Sequence, residues 1–164
     1  MKAILLTLFV ALLMVGCGEE QPVDYSKLQD RDGIMYLPNE ETPFNGRAED
    51  FYWTGQKKLE ANYKDGKLDG LWTLWYINGQ KKREGNSKDG KEDGLWTQWY
   101  LNGQKNEESN WKAGKPMSAK GWKPNGEKCP VTDVKDGNGV VVWYNEDGTE
   151  YRRLTYKDGD LVRD

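Results

Sequence analysis

Gly70 to Gln80 reads GLWTLWYINGQ, and Gly94 to Gln104 reads GLWTQWYLNGQ. Nine of the eleven letters coincide, 24 residues apart. A fixed period of this size marks a repeat architecture, so further copies are sought on either side. Two ladders of glycine carry the period along the chain. The first is Thr54-Gly55, Asn78-Gly79, Asn102-Gly103, Asn125-Gly126 and Asp147-Gly148, with steps of 24, 24, 23 and 22 residues. The second is Gly66, Gly90, Gly114, Gly137 and Gly159, each 11 residues after its partner in the first. A lysine stands two residues ahead of every glycine of the second ladder: Lys64, Lys88, Lys112, Lys135 and Lys157. Between that lysine and the glycine stands Asp in four copies and Ala113 in the other.

Asn-Gly and Asp-Gly favour the tight two-residue hairpin turn, whose two central residues need positive φ. Each repeat therefore reads as strand, Asn-Gly turn, strand, Lys-Asp-Gly turn, with strands of about 5–7 residues. Glycine recurs too often for helix, and no sustained 3.6-residue stripe follows the first residues. The expected fold is all-β: an elongated, single-layer antiparallel sheet of about five stacked hairpins. A single layer has no second sheet to supply a core, so each hairpin must bury its aromatics against its neighbours.

Strand residues alternate between faces. Leu71, Thr73, Trp75 and Ile77 share one face, and Trp72, Leu74, Tyr76 and Asn78 the other. The next copy repeats this with Trp99 opposed to Trp96 and Tyr100. The return strand Gln80 to Lys88 offers almost nothing apolar. Trp72, Trp75, Tyr76, Trp96, Trp99 and Tyr100 thus have two readings, as the core of the array or as an open aromatic strip for a partner. Alternation does not say which face is open. The fourth copy departs from the pattern. Pro116-Met117 stands where a glycine is expected, and Cys129-Pro130 interrupts the return strand. Proline inside a strand implies an edge, bulge or break, so an irregular stretch is expected around residues 116–136. In the fifth copy Tyr144 holds the aromatic slot and Trp143 comes one residue early.

These residues resemble the MORN repeat family, in the variant common in bacterial secreted proteins. Gly70, Trp72, Trp75, Tyr76, Asn78, Gly79, Gly90, Lys91 and Gly94 fit its pattern, as do Gly94, Trp96, Trp99, Tyr100, Asn102, Gly103, Gly114 and Lys115. An earlier copy fits as Gly46, Phe51, Tyr52, Gly55, Tyr63, Gly66, Lys67 and Gly70. Asp30 to Tyr36, ahead of Pro43-Phe44-Asn45-Gly46, looks like the family's usual lead-in segment. The resemblance covers about residues 30–164. It implies the stacked-hairpin sheet and says little of function. An antitoxin-like label is often attached to this repeat group, and some of its arrays are membrane-associated.

The chain begins MKAILLTLFVALLMVGC. One positive residue, Lys2, precedes an apolar run too short to span a bilayer, which reads as a secretory signal peptide over residues 1–16. Met14-Val15-Gly16-Cys17 resembles the lipobox of bacterial lipoproteins. That implies cleavage between Gly16 and Cys17 and acylation of Cys17, and several acyl chains anchor stably where one would not. Gly18, where Asp would favour retention in the inner membrane, implies the outer membrane if the cell has one. Residues 17–29 read as the lipidated Cys and a flexible tether, and residues 30–164 as the repeat domain.

Composition narrows the function. A net charge of −3 lacks the basic footprint that nucleic acid demands. The chain has no histidine and two cysteines. That removes the commonest general base, Ser-His-Asp and Cys-His catalysis, and a zinc site. With Cys17 acylated, Cys129 has no disulfide partner. The Asp-Gly pairs recur as turn residues, not as one acid/base pair, and Asp30 to Gly33 and Asn145 to Gly148 lack calcium-loop spacing. No enzyme, cofactor or metal is expected. The expected function is that of a lipid-anchored, non-enzymatic envelope protein whose repeat sheet binds another protein. One alternative is glycan or peptidoglycan binding through the aromatic strip, since Gly121 to Gly126 loosely resembles choline-binding and glucan-binding repeats. Another is an antitoxin-like component of an envelope-directed toxin–antitoxin pair.

Overall fold

The computed structural model describes residues 21–162. The signal peptide, Gly16 and Cys17 lie outside the described residues. The described residues are all-β apart from one 3-10 turn at Tyr25–Lys27. Its strands are β1 (Val23–Asp24), β2 (Gln29–Arg31), β3 (Ile34–Tyr36), β4 (Gly46–Phe51), β5 (Lys57–Lys64), β6 (Lys67–Trp75), β7 (Lys81–Lys88), β8 (Lys91–Trp99), β9 (Lys105–Lys112), β10 (Lys115–Trp122), β11 (Lys128–Lys135), β12 (Asn138–Tyr144), β13 (Glu150–Lys157) and β14 (Asp160–Leu161). Strands β4 to β14 pair in sequence order as one antiparallel sheet, with β1 added in parallel beside β4. β2 and β3 form a separate hairpin. Five hairpins stack, as the glycine ladders foretell. Strands β5 to β11 run 8 or 9 residues, longer than the expected 5–7.

The two ladders form different turns. Lys64 pairs with Lys67, Lys88 with Lys91, and Lys112 with Lys115, leaving only two residues between. Both have positive φ, as in Asp65 (49°) and Gly66 (73°) or Asp89 (50°) and Gly90 (80°). This is the type I′ turn that right-twisted strands prefer. The first ladder departs from the sequence reading. Only its glycine has positive φ, as at Gly79 (82°), whose N–H donates to Tyr76 O while Tyr76 N–H donates to Gln80 O. That is a three-residue loop, a type I turn closed by a glycine bulge. The asparagine serves through its side chain. Asn78 Oδ1 accepts from Gln80 N–H and Asn102 Oδ1 from Gln104 N–H, an Asx turn. The amide groups reach onward, from Asn78 to Leu101 O and from Asn102 to Pro124 O, so each turn is tied to the next.

Bulges explain the drifting period. Opposite Asn62, β6 carries two extra residues between Leu68 and Trp72. β8 does the same opposite Asn86, β10 carries one extra residue at Met117, and β12 carries none. Gly70 (108°) and Gly94 (89°) supply the positive φ that the wide bulges need. β10 has no glycine there, and its bulge is correspondingly narrower. The repeats of 24, 24, 23 and 22 residues thus differ only in how far the outgoing strand bulges. The irregular stretch in the fourth copy is present. Register between β10 and β11 jumps from Gly121–Cys129 to Lys120–Asp133, leaving Pro130 to Thr132 out of the ladder, where a proline without an N–H is tolerated.

One row of side chains crosses the whole sheet on a single face. Pairing runs Ala48–Ala61–Trp72–Gly85–Trp96–Ser109–Ala119–Val134–Gly139–Tyr156. Ala48, Ala61, Trp96, Ser109, Ala119 and Val134 are all buried. The row works by size. Ala61, Gly85 and Ser109 on the return strands make room for the indoles of β6 and β8. Trp72 and Trp96 meet across Gly85 with ring centroids 5.7 Å apart, and Trp96 Nε1–H donates to Asn86 O at 2.8 Å.

This inner face is covered differently at its two ends. At the N-terminal end, Val23, Tyr25, Leu28, Met35 and Leu37 pack onto Phe44, Ala48, Ala61 and Tyr63. The ordered fold therefore takes in Val23 to Gln29, which the sequence reading assigned to the tether: Val23 and Asp24 pair with β4, Tyr25 and Leu28 pack over the first repeat, and Gln29 pairs with Tyr36. At the other end the face folds over itself. Trp143 of β12 and Tyr156 of β13 pack on Ala119, Val134 and Val141. Glu107 of β9 sits beneath this closure, and burial holds its carboxyl above the usual carboxylate range against the pull of Ser109, Arg83 and Trp143. A methyl group on Gly85 would lie 2.1 Å from the Trp96 ring. Gly85→Ala should therefore lower unfolding free energy by about 1–3 kcal/mol in chemical denaturation. Trp96→Leu in the same chain should recover part of the loss.

Candidate functional site

The opposite, outer face is built from unlike strands. The outgoing strands β6 and β8 present Leu71, Thr73 and Trp75, then Leu95, Thr97 and Trp99. The return strands place Lys81 and Glu84, then Lys105 and Glu108, between them. Lys57–Glu60 and Lys105–Glu108 pair at 2.6 Å and Lys81 bonds to Glu84, so each of these return strands sets one lysine–glutamate pair on this face. Thr73 Oγ1 also donates to Glu84. Half-exposed pairs of this kind add little stability. Their effect is to hold polar stripes between apolar ones.

The apolar stripes stay open. Leu71 is 42% exposed and Leu95 55%. Trp75 and Trp99 are partly buried. The turns that crown these strands lift Ile77 (38%) and Leu101 (46%) into solvent, and Trp53 of the first turn is 86% exposed. Lys57 Nζ lies 5.8 Å from the Trp75 ring centre and Lys105 Nζ 5.1 Å from that of Trp122, within cation–π range. Among the described residues no lysine or arginine covers Trp99.

The six aromatics of the candidate strip separate into three roles. Trp72 and Trp96 point inward, and Trp96 is buried at 4% exposure with Arg83 stacked 4.4 Å from its ring centre. Tyr76 and Tyr100 are latches between repeats. Tyr52 donates to Trp75 O at 2.8 Å, Tyr76 to Trp99 O at 2.9 Å and Tyr100 to Trp122 O at 2.7 Å. The latch stops where Lys123 replaces the tyrosine. Trp96 and Tyr100, being buried, take no part in a binding surface. Only Trp75 and Trp99 of the six face outward with room for a partner. The sequence reading missed Leu71, Leu95, Ile77, Leu101 and Trp53 as members of that surface. Alternation did place Leu71 and Ile77 with Trp75, and that was the available signal.

Cys129 is buried. Its Sγ lies 3.2 Å from Tyr144 Oη, and Thr132 N–H donates to it at 3.4 Å. Burial raises the thiol's pKa, but these hydrogen bonds outweigh it and the net direction is down. The same contact with Cys129 pushes Tyr144 up to about 12.

The sequence profile of the MORN repeat variant matches residues 68–89 and 92–113, which are β6 with β7 and β8 with β9. No curated protein and no solved structure matches the chain significantly. The matched segments are the two repeats whose bulges, latches and outer tryptophans are most regular.

The tyrosine latches make a testable pair. Tyr76→Phe or Tyr100→Phe should each cost about 0.5–1.5 kcal/mol in denaturant unfolding. Burial also raises the pKa of Tyr63, Tyr76 and Tyr100, so the folded state keeps these phenols neutral where unfolded tyrosine ionises, near pH 10. Stability from this source is complete below pH 10 and is lost as pH rises beyond it. A Tyr76→Phe/Tyr100→Phe chain should show a shallower alkaline fall in thermal stability.

Proposed function

We propose that the chain is a lipid-anchored envelope protein that performs no catalysis and binds another protein through the outer face of β6 to β9. The observation that carries this reading is the pair of open apolar stripes, Leu71, Trp75 and Ile77 on one and Leu95, Trp99 and Leu101 on the next, two strands apart with β7 between them. Apolar groups that size, grouped on one face and rimmed by charge, resemble an interface core with a polar rim, and tryptophan dominates the energetics of such surfaces. A repeat array suits the task because successive copies extend the same surface. Anchoring through acylated Cys17, with the outer membrane as destination, rests on the lipobox resemblance. An antitoxin-like role suits a cytoplasmic protein better than one with an export signal, so it ranks below protein binding.

The test uses the chain from Gly18 onward as bait for detergent-solubilised envelope, with half the sample treated with a peptidoglycan hydrolase. A discrete protein captured from both halves is expected. Trp99→Ala with Leu95→Asp should abolish capture while circular dichroism and Tm show the bait folded, because both side chains point away from the inner row. Capture that disappears with hydrolase treatment would favour the glycan reading instead. Equal capture by the folded variant would remove the outer face from consideration.

A further inference from the structure

The lysines of the type I′ turns have no part in the outer face. They line the opposite rim of the sheet from the Asn-Gly turns. Lys64 lies directly across from Lys67, Lys88 from Lys91, and Lys112 from Lys115. Like charges placed directly opposite destabilise a strand pair. Here the conflict is repeated at three successive turns, and a local rule broken repeatedly points to function. All six side chains are exposed. Among the described residues only Lys115 of the six has an ion-pair partner, Asp160 at 2.8 Å.

The nearby acids keep their charge but are tied in place, and one of them is ion-paired. Asp69 accepts from Asp89 N–H and Asp93 from Ala113 N–H, while Glu92 is paired with Arg83. Asp65 and Asp89 ride on the turns themselves. The third turn carries Ala113 instead of an aspartate, which removes one acid from the rim. Beside it lies an open groove of about 480 Å³ lined by Lys67, Lys88, Lys91 and Lys112 with Asp89, Asp93 and Ala113. The main chain of the rim is already occupied. Gly66 N–H donates to Phe44 O, Gly90 N–H to Leu68 O and Gly114 N–H to Glu92 O. The turn glycines offer a peptide strand no free N–H, so recognition at the turns rests on side-chain charge.

We propose that this rim binds a linear polymer of phosphate groups, with the groove between the second and third type I′ turns as its main seat. Lysine binds phosphate as a compact point charge. Successive turns lie about 10 Å apart, twice the strand spacing, so one flexible chain spans several lysine pairs. None of the residues lining the groove is aromatic, which distinguishes it from a single-stranded nucleic acid site.

Long-chain sodium polyphosphate is the probe, titrated into the chain from Gly18 onward at several salt concentrations. Binding that weakens steeply with salt is expected, as for other polyanions. Lys88→Gln/Lys91→Gln/Lys112→Gln should weaken it by about tenfold or more, while Tm holds or rises by about 1–3 °C as like-charge repulsion is removed. Lys82→Gln/Lys128→Gln at the other rim should leave affinity unchanged. Absent binding, an equal loss in this control, or a fall in Tm of the triple variant would overturn the proposal. So would orthophosphate binding as tightly as the polymer. Phosphatidylglycerol vesicles bound through the same lysines, with polyphosphate unable to compete, would replace the polymer with a lipid surface.

Discussion

The structure depends on one constraint: a sheet without a partner sheet must make its own interior. The row from Ala48 to Tyr156 meets it by alternating bulk. Trp72 and Trp96 cannot share a face on strands two apart unless the strand between gives way, and Gly85 does so. Ser109 and Ala119 then continue the row with small side chains where the face folds over, and Trp143 and Tyr156 close it from the far end. Burial at roughly 25 cal/mol per Å² is thereby concentrated along one line, and every hairpin shares it with its neighbours. This nearest-neighbour dependence is how repeat arrays gain stability that no single hairpin has.

Around that row the two rims hold the register in different ways. At one rim, three-residue turns are joined by asparagine amides and by the tyrosine latches to the following tryptophan carbonyls. At the other, two-residue turns are hydrogen-bonded to the start of the preceding outgoing strand. Wide bulges at Gly70 and Gly94 let the outgoing strand supply those contacts. Where the bulge shrinks, at Met117, the side-chain acceptor found at Asn45, Asp69 and Asp93 is missing too. The fourth repeat is thus irregular at the strand's start, in the return strand and in the latch together.

Much of this was legible in the sequence, because glycine ladders report local backbone conformation. The hairpin count follows from them, and the break near Pro130 follows from the prolines of the fourth copy. The first-ladder turns were misread because Asn-Gly serves two turn types, either at positive φ or as an Asx turn ahead of a glycine bulge. The inner row left a trace in Ala61, Gly85 and Ser109, small residues at an interval of 24. Pairing register was needed to see that they lie between tryptophans. Which face is covered was not legible at all. The cover comes from Tyr25 and Leu28 at one end and Trp143 and Tyr156 at the other, through contacts that no local pattern encodes.

The functional reading rests on the same asymmetry. One tryptophan of each regular repeat is consumed by the fold and the other is left outside, so the face that stabilises the array is not the face left open. The most direct measurement is 19F NMR of 5-fluorotryptophan-labelled protein, each of the eight indoles assigned by Trp→Phe substitution and tested for its H2O/D2O isotope shift. Trp96 should show almost no solvent shift, Trp53 the largest, and Trp75 and Trp99 clear intermediate values. A Trp96 signal as solvent-sensitive as that of Trp75 or Trp99 would contradict the inner row and, with it, the division between the two faces.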